Sequence, residues 1–132
     1  MKLFLASFLQ KENFGSGDII SICSGTKPKD IEVKKQFIHF IPSENLINEY
    51  YNLRQKDQNA ASDFFVSGYQ KQLEEVITSV TEEASMEKLS VLDILPFKDG
   101  DTLCSWERGQ FNNYRKILAP YLEKLGYEVV LN

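Results

Sequence analysis

The residues most able to do chemistry fall in one stretch, Ser105, Trp106, Glu107, Arg108, Gly109, Gln110, Phe111, Asn112, Asn113, Tyr114 and Arg115. It is dense in groups that hydrogen-bond, carry charge or stack. Glu107 can serve as a general base or accept from a ribose hydroxyl, Arg115 can clamp a negative charge, and Trp106 offers a platform for a ring. These make Glu107 and Arg115 the candidate catalytic pair. The competing structural reading is an internal Glu107 to Arg115 ion pair that fixes the loop, with Trp106 in the core. Ser24-Gly25, closing an apolar run, is a second candidate for ligand contact.

Other motifs are weaker. Gly15-Ser16-Gly17 lacks both the dinucleotide fingerprint and the terminal Lys-Ser/Thr of a phosphate-binding loop, so it reads as loop flexibility. Cys23 stands near the end of an apolar run and is either a nucleophile or a small buried hydrophobe, and Cys104 reads as interior. His39 is the only histidine and has no sequence-local partner that would mark it as a base. One histidine and two scattered cysteines cannot build a common transition-metal site, and no motif calls for a cofactor.

The elements that must position these residues belong to a chain of 132 residues, long enough for one core. A net charge of −4 disfavours nucleic acid as a partner held by bulk electrostatics. Local charge is uneven, with Lys27, Lys29, Lys34 and Lys35 on one side of the balance and Glu74, Glu75, Glu82, Glu83 and Glu87 on the other. No apolar run is long enough to span a bilayer, so no membrane partner is expected. The stretch Met1 to Leu9 ends at Gln10-Lys11-Glu12 without a small-residue cleavage site, which favours a first strand over a leader. Two cysteines without a disulfide pattern suggest a reducing, cytoplasmic setting.

Apolar runs predict strands at Lys2 to Phe8, Ile19 to Cys23, Phe37 to Ile41, Asp101 to Trp106 and Tyr127 to Leu131. Ser43 reads as the N-cap of a helix over Glu44 to Arg54. Ala61, Phe65, Tyr69, Leu73, Val76, Ile77 and Val80 recur at helical spacing, and a short helix within Met86 to Phe97 is expected to pack onto the sheet. Asn112 or Asn113 can cap a final helix whose inward stripe is Tyr114, Ile117, Leu118, Tyr121, Leu122 and Leu125. Pro120 should kink it, and Gly126 should end it.

A strand, a crossover helix and a strand imply a parallel sheet. The fold class is therefore α/β, one three-layer domain over residues 1–132 with an open, mostly parallel sheet of about five strands. In such sheets ligands sit beyond the carboxyl ends of the strands. The ligand-binding set expected there is Ser24, Gly25, Ser105, Trp106, Glu107, Arg108, Asn113, Tyr114 and Arg115.

The run Leu103-Cys104-Ser105-Trp106-Glu107-Arg108, then Asn113-Tyr114-Arg115, Leu118-Ala119 and Leu122, resembles the prokaryotic and viral domain-of-unknown-function 488 family. That family reads Leu-Leu-Cys-Tyr/Trp-Glu-Lys, then Cys-His-Arg at a helix start. Leu3 to Ser7, Ser21-Ile22-Cys23-Ser24-Gly25 and Pro42-Ser43 look like its earlier motifs. Glu107 and Arg115 carry over, and Arg108 replaces a lysine. Ser105 stands at a family cysteine and Asn113-Tyr114 at Cys-His, so the resemblance implies a member depleted of catalytic groups.

Three functions follow as expectations. The first is binding of a nucleotide-like or other anionic small molecule at the carboxyl edge. The second is hydrolysis of nucleosides or nucleic acid with Glu107 as base. The third is a protein-interaction or inhibitor role of phage or mobile-element type, through the acidic helix.

Overall fold

The computed structural model describes residues 1–106 and 114–131. Its five strands are β1 (Lys2–Ser7), β2 (Ile19–Ser21), β3 (Val33–Gln36), β4 (Thr102–Ser105) and β5 (Glu128–Leu131). They form a single sheet in the order β3-β2-β4-β1-β5, and every pairing is parallel. The α/β class and the parallel sheet expected from the apolar runs are both present. The strand before and the strand after the last helix are not neighbours, however, because β1 lies between β4 and β5.

Among the described residues four helices accompany the sheet: α1 (Glu44–Arg54), α2 (Gln58–Glu87), α3 (Val91–Ile94) and α4 (Tyr114–Lys124). Ser43 begins α1 as expected, its hydroxyl accepting from the Leu46 amide at 3.2 Å. Asp57 begins α2 by accepting from the amides of Asn59 and Ala60. α4 runs through Pro120, which lies exposed within it. Gly126 ends that segment at φ 111°, where a side chain would be strained. Among the described residues no helix is long and apolar enough to cross a membrane.

Alternation along the strands divides the interior in two. Leu3, Leu5, Ile20, Ile22 and Leu103 face the helices and pack with Tyr50, Phe65, Tyr69, Leu73, Leu118 and Leu122. On the opposite face, Phe8, Cys23 and Cys104 cluster with Phe14, Ile31, Val33 and Trp106. Among the described residues that face is covered by the 3-10 turn Lys11–Asn13 and by loops. Connections that move in opposite directions across the sheet thus lie on opposite faces, as a uniform crossover hand demands.

Two local expectations are corrected. Phe37 to Ile41 is not a strand, since Ile38–Phe40 is a 3-10 turn and the edge strand lies earlier, at Val33–Gln36. Phe37 and Phe40 are apolar because they pack edge-on to each other at 4.7 Å and onto Phe97, not because they join the sheet. The short helix within Met86 to Phe97 is α3, and it rests chiefly on α2.

Gly15-Ser16-Gly17 is a packing device and not a flexible loop. A Cβ on Gly15 would stand 2.3 Å from the Gly100 carbonyl oxygen, and one on Gly17 would stand 2.5 Å from Asp101 Oδ1. The Gly15 amide donates to Thr102 Oγ1 at 2.8 Å, the Gly17 amide to the Gly100 carbonyl at 2.9 Å, and the Asp18 amide to Asp101 Oδ1 at 2.9 Å. All of this lies at the amino end of β2 and β4, opposite the expected binding edge.

Candidate functional site

At the carboxyl ends of the strands the loops leave a cleft of 410 Å³. β2 is followed by Cys23, Ser24, Gly25 and Thr26, which form one side. Trp106, just past β4, and Tyr114, the first residue of α4, form the inner wall. The segment from Ile38–Phe40 into α1 supplies the rest, through Ile41, Pro42, Ile47 and Tyr51.

The loop after β2 is tied down from several directions. The Cys23 carbonyl accepts from Gln36 Nε2 at 2.8 Å, from Ser21 Oγ at 3.1 Å and from Lys27 Nζ at 3.3 Å. Lys27 Nζ also donates to the Gly25 carbonyl at 3.0 Å, which fixes an ammonium beside the cleft. Trp106 Nε1 donates to the Thr26 carbonyl at 2.8 Å, and its ring meets Phe8 at 5.2 Å. The indole is thereby fixed in place before anything binds. Gly25 adopts φ 92° with open space where a Cβ would stand, so its conformation, and not crowding, selects glycine.

Beneath the cleft lies a buried polar layer. Tyr114 donates to the Ile22 carbonyl at 2.7 Å, and Arg115 Nη1 donates to Ser105 Oγ at 2.6 Å. Burial pushes the Tyr114 hydroxyl well above its ordinary range. Burial likewise pushes the Cys104 thiol up to about 12, a rise that the Arg115 charge partly opposes. A thiol so placed is protonated at neutral pH and is not a nucleophile.

Of the residues singled out from sequence, Ser24, Gly25, Trp106 and Tyr114 line one cleft. Ser105 and Arg115 do not line it; they are buried below, bonded to each other, and only 5% of Arg115 is exposed. Glu107, Arg108 and Asn113 lie outside the described residues, as do the capping candidates Asn112 and Asn113. Cys23 reaches the cleft, whereas His39 lies away from it, exposed and edge-on to Phe37 at 5.4 Å.

Sequence reading missed Thr26, Ile41, Pro42, Ile47 and Tyr51. Ile47 and Tyr51 occur four apart on α1, a helical pair whose outward position next to the inward Leu46 and Tyr50 was the available signal. No charged side chain lines the cleft among the described residues, so what these walls can do is stack a ring and hydrogen-bond to it. Among the described residues no group of His, Cys, Asp or Glu is arranged to hold a metal ion. A larger open groove of 570 Å³ runs along α2 beside the turn that follows β3, and Ile41 lines both it and the cleft. Neither known family models nor curated proteins nor solved structures give a significant match to the chain.

Proposed function

We propose that the chain binds a nucleotide-like or other anionic small molecule in the cleft at the carboxyl edge of the sheet, in a domain depleted of catalytic groups. The observation that carries this reading is the convergence of Trp106, Tyr114, Ser24 and Gly25, from three separate parts of the sequence, on one concavity. A ring would lie among Trp106, Tyr51 and Ile47, with the hydroxyls of Ser24 and Thr26 at its edge. An anionic group would be drawn to Lys27 at the cleft mouth, with Lys29 exposed nearby in the same loop. The resemblance of the segment Leu103 to Arg115 to the family of unknown function adds Glu107 and Arg108 to the residues expected to hold the ligand.

Trp106 is the only tryptophan, so the cleft carries its own fluorescent reporter. Titration with AMP, adenosine and inorganic phosphate should give saturable quenching that is tightest for AMP and weakens as salt is raised. Tyr51→Ala should loosen AMP by about tenfold while the circular dichroism spectrum stays that of the folded chain, since Tyr51 is half-exposed. Absence of a saturable change with all three probes would remove this function.

A further inference from the structure

The groove along α2 presents a second surface with a different chemistry. Its floor is apolar, made by Val76 and Val80 of α2 on one side and by Ile38, Ile94, Leu95 and Pro96 on the other. Ile38 is 64% exposed at the groove's edge. The α2 rim carries Glu75 and Glu83, and among the described residues neither has an ion-pair partner. Glu74 and Glu82 extend the ridge beside the groove, with Lys71 among them and Glu74 accepting from the Tyr121 hydroxyl at 3.2 Å. On the opposite rim His39 is exposed, and the Lys35 ammonium donates to the Pro96 carbonyl at 2.7 Å.

We infer that this groove docks a basic amphipathic helix of another protein. Apolar anchors of that helix fill the floor between Ile38 and Val80, while its lysines or arginines lie along Glu75 and Glu83. The two carboxylates are two turns apart on α2, about 12 Å along the axis, which matches cations two turns apart on a helix laid alongside. Charge complementarity selects this occupant over a second copy of the chain, whose own net charge is −4 and whose long helix is acidic. The groove adjoins the cleft at Ile41, which lines both, but its floor and its acidic rim use none of the cleft's other lining residues.

The probe is a fluorescent peptide with Leu at helical spacing and Lys elsewhere, compared with one in which Glu replaces Lys and one in which Ser replaces Leu. Only the first should bind, becoming helical as it does. Ile38→Asp, and separately the pair Glu75→Lys with Glu83→Lys, should weaken it by about tenfold or more. The pair Glu49→Lys with Glu123→Lys makes the same charge change at exposed sites of α1 and α4 and should alter binding by less than about twofold. Ile38, Glu75 and Glu83 are all exposed, so these variants fold and circular dichroism will verify it. Equal weakening by the control pair, equal binding of either altered peptide, or no effect of Ile38→Asp overturns the inference. So does a wild-type dimer in sedimentation that Ile38→Asp dissociates, because the groove would then hold a second copy.

Discussion

At the amino end of the sheet, Gly15 and Gly17 let backbone meet backbone, and the gap is closed by amide bonds to Thr102, Gly100 and Asp101. At the carboxyl end, Gly25 sits in a loop of similar composition, yet nothing lies within 4 Å of where its Cβ would stand. The Asp101 carboxylate accepts from the amides of both Asp18 and Lys98, so the amino end is closed by half-buried hydrogen bonds. The carboxyl end spends comparable bonding, at Cys23, Thr26 and Ile22, on holding a concavity open. Glycine and serine in a loop therefore do not announce a binding site; what surrounds the missing Cβ decides.

The sharpest way to break that contrast is to add the Cβ. Gly15→Ala should lose about 3 kcal/mol, because the methyl meets a backbone carbonyl that cannot swing aside. Urea denaturation will measure it, and a loss no larger than that of an exposed loop glycine would show the amino end to be loosely packed.

The buried thiol under the cleft and the buried phenols of the core give a pH-dependent difference. Burial raises Cys104 from 9.0 to about 12 and Tyr127 from 10.0 to about 12, and it raises Tyr69 and Tyr114 as well. The unfolded chain ionises at the ordinary values while the native state holds these groups neutral. Stability is therefore complete below pH 9 and is lost as the pH climbs toward 12. Each group steepens the decline by about 1.4 kcal/mol per pH unit, so Cys104→Ala should flatten the alkaline slope of the unfolding free energy, obtained by urea denaturation, by that amount. An unchanged slope would mean that Cys104 ionises in place. The smallest effect is expected from Gly25→Ala, about 1 kcal/mol from the positive φ alone, with the amino-end clamp untouched.

Elements with a covered face were legible in the sequence. β1 and β2 announce themselves by apolar runs, α1 by its Ser43 cap, and α2 by Ala61, Phe65, Tyr69 and Leu73 at a four-residue repeat. The edge strand was not legible, because Lys34, Lys35 and Gln36 are exposed and carry no alternation, while the aromatic run beside them packs as a turn. The strand-edge rule located Ser24, Gly25, Trp106 and Tyr114 near one another. It did not locate Ile47 and Tyr51, which reach the cleft only through the docking of α1 against α2. Arg115 read as a surface clamp because sequence cannot distinguish an arginine aimed at solvent from one turned inward onto Ser105.

The position of β1 between β4 and β5 has a consequence for how the protein is made. Lys2 pairs in register with Glu128, and Phe4 with Thr102, so β1 leaves the ribosome well before either of its neighbours, β4 and β5. Such high contact order places folding in the slower regime. Until those late segments emerge, Leu3 and Leu5 remain uncovered in the nascent chain, the interval in which a chaperone has most to bind.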